Sequence, residues 1–325
     1  MEKVSNKLKK LESLIGNTPT LRLYCEVSGK TLPIIAKYEA GNFTGSIKDR
    51  MVFEILKGAY LVGNIQPGDT IVEATSGNTG ISLAAIGAFL GHPVHIYMPK
   101  WLSEERKKLL RFYGAKLIEI GEKEGGFLHC IELAAKKASK KGFYGPKQFE
   151  NSWNPCAHTK TTAPQLEKAL LDNDLGLLDV FVAGVGTGGT VMGVYHHFAP
   201  KLPDFKAIPV LPIKNEDGAH RIEGIGDSFI PKILDLSVLG PVIRISDEDA
   251  IRTAQKLNKI GLSVGISSGA NLFAALSCAD KSQESLNIAT VLCDGNSKYL
   301  STDLCSEMPA KDNDSVKILD FEIIS

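Results

Sequence analysis

Val180-Phe181-Val182-Ala183-Gly184-Val185-Gly186-Thr187-Gly188-Gly189-Thr190 reads as an apolar strand running into a glycine-rich turn and then a helix. A strand that is apolar throughout is buried on both faces, as in a parallel sheet covered by helices. The glycines let the backbone approach an anion closely. The helix start adds unpaired N–H groups and roughly half a positive charge, so phosphate is the expected guest. Thr187 and Thr190 add hydroxyl donors. Two other readings stay open: a tight turn with no ligand, and a dinucleotide fingerprint. The fingerprint is weakened because Val210-Leu211-Pro212 stands where an acidic residue would end the next strand.

Working outward, the same alternation repeats. Further strands are expected at 34–39, 70–74, 94–98, 116–120, 206–211, 242–245 and 289–293. Helices are expected at 47–61, 79–90, 103–113, 127–140, 162–171, 190–198, 247–259 and 268–278. Strand and helix in alternation predict an α/β fold built from right-handed crossovers. At 325 residues the chain has room for about two domains. The expected division puts residues 1–45 and 147–325 in a larger cofactor-binding lobe and residues 46–146 in a smaller, mobile one. The residues after Met308 are polar and then apolar, and read as a tail that pairs with something.

Composition excludes several classes. Lys+Arg and Asp+Glu balance at 37 each, so no basic excess points to nucleic acid. The six cysteines form no Cys-x-x-Cys and have no histidine at zinc-ligand spacing, which predicts inert thiols, no metal and a reducing cytoplasm. The first fourteen residues lack the apolar core of a signal peptide. The longest near-apolar stretch, 81–90, is about half a membrane span, so no membrane partner is expected.

Three more turns follow a strand or open a helix, where ligands of parallel sheets gather. Thr75-Ser76-Gly77-Asn78-Thr79-Gly80 supplies hydroxyls, an amide and glycines, an inventory suited to a small carboxylate. It reads equally as a helix N-cap. Gly265-Ile266-Ser267-Ser268-Gly269-Ala270, taken alone, reads as an N-cap. In Ser46-Ile47-Lys48-Asp49-Arg50 a lysine stands in the first turn of a helix, where a cation opposes the dipole and the free amine is favoured. Position alone favours a surface lysine.

Together these turns resemble the cysteine synthase and cystathionine β-synthase family of pyridoxal-phosphate enzymes. The resemblance runs from Leu14-Ile15-Gly16-Asn17-Thr18-Pro19 to Lys298-Tyr299-Leu300-Ser301-Thr302. It includes Gln148-Phe149, Asn154-Pro155, His158 and Gly224-Ile225-Gly226. It implies a tryptophan-synthase-β-like fold with two lobes, each a mainly parallel twisted sheet flanked by helices, and pyridoxal 5'-phosphate in the cleft. By the same resemblance Lys48 is the Schiff-base lysine and the base at the α-carbon. Gly186, Thr187, Gly188, Gly189 and Thr190 cradle the phosphate. Asn78 meets the ring hydroxyl and Ser267 the pyridine nitrogen. Thr75, Ser76, Gly77, Thr79 and Gln148 hold the substrate carboxylate. The implied reaction is β-replacement on a serine-type amino acid through an aminoacrylate, in a cytoplasmic homodimer.

The sequence departs from the family where Gly224-Ile225-Gly226 continues as Asp227-Ser228-Phe229. In cysteine synthases Ala-Gly-Phe is common there, and in cystathionine β-synthases Tyr-Asp-Phe. An anion at Asp227 facing the cleft repels hydrosulfide by roughly 3–4 kcal/mol at about 4–5 Å and an effective dielectric near 20. It assists water or an amine-bearing thiol instead. The favoured expectation is therefore L-cysteine as donor, hydrogen sulfide as leaving group, and serine, lanthionine or cystathionine as product. The alternatives are cysteine synthesis from O-acetylserine, a catalytically silent cofactor-binding regulator, and a nucleotide-dependent oxidoreductase. Cys293 and Asp294 are expected to be inert, and His196-His197 to sit on a solvated helix face.

Overall fold

The computed structural model describes residues 2–216, 218–226, 229–308 and 316–325. The strands are β1 (Thr20–Val27), β2 (Lys30–Tyr38), β3 (Thr70–Ala74), β4 (Val94–Pro99), β5 (Lys116–Ile120), β6 (Phe143–Tyr144), β7 (Val180–Gly184), β8 (Lys206–Pro212), β9 (Ile243–Ile245), β10 (Ile288–Leu292) and β11 (Val316–Ile323). The helices are α1 (Glu2–Glu12), α2 (Lys48–Leu61), α3 (Asn78–Leu90), α4 (Glu104–Phe112), α5 (Gly126–Ala138), α6 (Trp153–Ala157), α7 (Ala163–Asp172), α8 (Gly189–Phe198), α9 (Asp247–Lys259) and α10 (Ile266–Lys281).

Two sheets result. One has seven strands in the order β11-β1-β2-β10-β7-β8-β9, the other four in the order β5-β4-β3-β6. The small sheet is parallel throughout. The large sheet is parallel from β2 to β9. The α/β expectation therefore stands, with an antiparallel edge added to the large sheet by β1 and β11.

Apolar side chains explain why these strands are central. β7 buries Val180, Phe181, Val182 and Ala183, and β10 buries every residue from Ile288 to Leu292. Such strands leave no face for water, so helices cover both sides. α9 and α10 pack on one side of the large sheet, while α7 and α8 pack on the other. A separate core joins β3 and β4 to α2 and α3, and Val4 and Leu11 of α1 belong to it.

The sequence reading missed β1, β6, β11, α1 and α6. The tail after Met308 finds its partner within the chain: β11 pairs with β1 from Leu21 opposite Ile323 to Val27 opposite Val316, with a shift of register between Tyr24 and Cys25. No helix among the described residues is long and apolar enough to cross a membrane.

Candidate active site

The carboxyl ends of β3 and β7 open towards one cleft with about 750 Å³ of unfilled space, part of it open to solvent. Lys48, Thr75, Ser76, Gly77, Asn78, Thr79, Gln148, Gly186, Thr187, Thr190 and Ser267 all line it. Four turns thus converge on one site, with Lys48 and Ser267 219 positions apart in the chain. Gly188 and Gly189 belong to the same turn as Gly186 and begin α8. Asp227 lies outside the described residues. Glu223, Gly224 and Ile225, just before it, line the cleft.

Lys48 is the first residue of α2. Its turn is zipped to the end of β10: Ile47 N donates to Cys293 O at 2.9 Å, and Ser46 bridges Asp294. The residues after Lys48 hold it there. Buried Asp49 accepts from Thr44 N (2.7 Å), Thr44 Oγ1 (2.6 Å) and Ser82 Oγ (2.6 Å). Burial nonetheless raises its pKa above the ordinary carboxyl range. Arg50 donates to both oxygens of Glu39 and to Thr18 Oγ1 and Gln165 Oε1, at 2.7–2.9 Å. Gly16, at φ +88°, brings the chain to 3.1 Å from Arg50 Nη1, measured from where a Cβ would stand. Two sequence motifs, 14–19 and 46–50, are therefore one buried polar network beneath Lys48.

The glycine turn before α8 is a cradle that side chains would fill. A Cβ on Gly186 would stand 2.2 Å from Gly224 O, and one on Gly189 1.8 Å from Asn154 Oδ1. Asn154 Nδ2 donates to Thr187 Oγ1 at 2.9 Å and to Gln148 O at 2.8 Å, while its buried Oδ1 has no partner. His158, fully buried between Thr162 and Thr190, has its pKa pushed down to about 3 by burial and by Arg50, so it is neutral. The cradle thus presents backbone N–H groups and hydroxyls, which fit a phosphate.

The 75–80 turn is braced from behind. Thr79 Oγ1 donates to Gln148 Oε1 at 2.7 Å, and Gln148 Nε2 donates to Ala74 O at 2.9 Å. Glu73 accepts from Ala74 N and Gln148 N, at 2.9 and 3.1 Å. Asn78 Nδ2 donates to Asp294 Oδ2 at 2.8 Å, leaving its buried Oδ1 unpartnered at the cleft.

Asp294, expected to be inert, is fully buried and also accepts from Tyr299 Oη at 2.9 Å. Cys293 lines the cleft near Ser267, and burial pushes its thiol up to about 11. Sequence reasoning also missed Arg106, Phe127 and Glu223 as cleft residues. An arginine within the charged run of α4 carries no signal of burial. His197 pairs with Glu167, and no group of three potential metal ligands exists among the described residues.

Comparison with known proteins agrees with this geometry. Residues 11–294 match the family model described as pyridoxal-phosphate dependent enzyme. Cysteine synthase B of Campylobacter jejuni is 44% identical over 303 residues, covering 91% of this chain and 98% of that protein. A hydrogen sulfide-producing enzyme from Fusobacterium nucleatum is 46% identical, with a TM-score of 0.91 over 98% of this chain and 99% of that one. A structure of an aspartate-to-asparagine variant of a hydrogen sulfide-producing enzyme, complexed with an α-aminoacrylate intermediate, is likewise 46% identical. Its TM-score is 0.92 over 97% of this chain and 98% of that one. Glycine cradle, Lys48 and the 75–80 turn in one cleft, with relatives aligned along nearly the full chain, make this an enzyme of the pyridoxal-phosphate dependent family, in its cysteine synthase group.

Proposed function

We propose that this enzyme uses L-cysteine as donor, releases hydrogen sulfide, and adds water or a second thiol amino acid at the β-carbon, giving serine, lanthionine or cystathionine. Pyridoxal phosphate supplies an electron sink for charge at the substrate α-carbon. Within that frame Lys48 holds the cofactor and takes the α-proton. Gly186, Thr187, Gly188, Gly189 and Thr190 hold the phosphate, Asn78 meets the ring hydroxyl, and Ser267 meets the ring nitrogen. A serine there, unlike a carboxylate, does not enforce a charged ring, which favours elimination and replacement over transamination. Thr75, Ser76, Gly77 and Thr79 orient the substrate carboxylate, with Gln148 beside them.

The observation that carries the donor assignment is the course of the chain at 223–226. Glu223, Gly224 and Ile225 line the cleft, and Asp227 follows two residues later. Glu223 is paired with Arg106, so the charge proposed to disfavour hydrosulfide as the incoming nucleophile, and to suit its departure, is that of Asp227. The hydrogen sulfide-producing relatives support the same direction. Cysteine synthesis from O-acetylserine is the second reading, favoured by the 44% identity to cysteine synthase B. We further propose a cytoplasmic homodimer, and a smaller lobe, residues 46–146, that moves over the bound amino acid.

The test compares sulfide release from L-cysteine with cysteine formation from O-acetylserine and sulfide. Asp227→Ala should lower the first and spare or raise the second. Equal effects on both, or none, would refute a role for Asp227 in choosing the nucleophile. Lys48→Ala should leave cofactor that dialysis removes; firmly retained cofactor would reject the lysine assignment.

A further inference from the structure

The first turn of α4 fastens the small sheet's half of the molecule to the large one. Arg106 is only 2% exposed, and its guanidinium ion-pairs with Glu223. Nη1 also donates to Ser103 Oγ at 3.0 Å, and the group lies 4.7 Å over the Tyr299 ring. Ser301 Oγ donates to Glu105 Oε2 at 2.7 Å, and Ser103 Oγ to Lys298 O at 3.3 Å. All of these partners except Ser103 and Glu105 come from the large-sheet half.

The same guanidinium supports the turn proposed to hold the substrate carboxylate. A Cβ on Gly77 would stand 2.8 Å from Arg106 Nε and 3.0 Å from its Cδ. The turn therefore rests directly on the arginine, and glycine is what permits the approach. On the other side, Glu223 precedes the Gly224-Ile225 wall. A buried charge keeps its place only while its partner does, because an unpaired one costs several kcal/mol. One ion pair thus links two walls of the cleft.

We propose that Arg106 is a positioning residue: through Glu223 it keeps the 75–80 turn in register with the Gly224-Ile225 wall, and so sets the affinity for the amino-acid substrate. The inference rests on reading that turn as the carboxylate site. Acting through Glu223 distinguishes it from direct recognition of the carboxylate by Arg106, in which Glu223 would matter little.

The test uses holoenzyme of wild type, Arg106→Gln, Glu223→Gln and the double variant. Two readouts are taken: the cofactor's visible absorption during titration with L-serine, and amide hydrogen exchange across 75–80 without amino acid. Each single variant should raise the half-saturating L-serine concentration about tenfold or more, the range expected when a charged hydrogen-bond partner is lost. The double variant should be no worse than the poorer single, and exchange at 75–80 should rise in all three. Wild-type affinity in Glu223→Gln, or losses that add in the double variant, would overturn the proposal. So would unchanged exchange. If L-serine and L-cysteine leave the wild-type absorption unaltered, the functional reading fails, and the exchange comparison alone decides the positioning role. Glu223→Gln is close in shape and partly exposed, so it keeps the test open should Arg106→Gln fold poorly.

Discussion

Asn78 Nδ2 donates to Asp294 Oδ2 across 2.8 Å, tying the turn that opens α3 to the segment that follows β10. These residues are 216 positions apart, and the bond joins the two halves of the molecule beside the cleft that Asn78 lines. Tyr299 Oη donates to the same oxygen. Removing the carboxylate leaves an amide and a phenol buried without that acceptor, at about 1–3 kcal/mol for each stranded group. Asp294→Ala should therefore unfold at lower denaturant and shift the absorption of the bound cofactor, because Asn78 loses its orientation. A spectrum and midpoint identical to wild type would show that Asp294 does not position Asn78.

Gly186 presents a sharper case. A methyl group there would meet the carbonyl oxygen of Gly224 at 2.2 Å; that oxygen is backbone, and the position of a Cβ is itself fixed by the backbone that carries it. No rotamer change relieves such a contact, so the 186–190 turn or the 224–226 wall must move. We expect Gly186→Ala to fold but to bind cofactor at least ~10-fold more weakly, since a phosphate cradle depends on close, preset N–H groups. The ratio of visible to ultraviolet absorption after dialysis reads this out. Full cofactor content would mean the phosphate sits elsewhere.

Much of the lining of this cleft was legible because it lies in short turns. Glycines, hydroxyls and one lysine at strand-to-helix junctions mark themselves, and a parallel sheet gathers such junctions at one edge. What escaped notice has physical reasons. β11 is apolar at Val316, Ile318, Leu319, Phe321 and Ile323, but no helix pattern precedes it, so the strand–helix alternation does not place it. β1 alternates, and Ser28-Gly29 closes its hairpin with positive φ at both positions, a turn signal that would have found it. Arg106 and Asp294 are polar residues whose burial depends on partners from distant segments. Nothing local to α4 distinguishes Arg106 from its exposed neighbour Lys108.

Glu73 gives stability a pH dependence with a definite sign. Burial pushes its carboxyl from the ordinary 4.5 up to about 7, against the pull of backbone donors at Ala74, Gln148 and Lys147. The folded protein thus binds this proton more tightly than the unfolded chain does. Its contribution is fully present below about pH 4.5 and is lost as pH rises through about 7. The loss is at most about 3–4 kcal/mol, from roughly 1.4 kcal/mol per pH unit. Glu73→Gln cannot titrate, so its urea midpoint should fall less than that of wild type between pH 5 and pH 8, roughly the window of the shift. Parallel profiles for the two proteins would contradict this account.

Asp49 tests whether the residues flanking Lys48 serve the lysine. Its carboxylate collects one backbone N–H and two hydroxyls, all from residues that frame the start of α2 or face it from α3. Alanine would strand these donors in a fully buried place, at a cost of about 3 kcal/mol or more. Asparagine is more informative. Its oxygen can still accept from the hydroxyls, which rotate to suit, but its NH₂ would face the fixed Thr44 N–H, which cannot. Asp49→Asn should therefore keep most of the stability lost in Asp49→Ala, yet still displace the Thr44 turn and with it Lys48. The expected outcome is a folded protein near the wild-type midpoint that retains less cofactor after dialysis. Full cofactor retention in Asp49→Asn would mean that the Thr44 backbone bond is dispensable and that Lys48 is held by the β10 zipper alone.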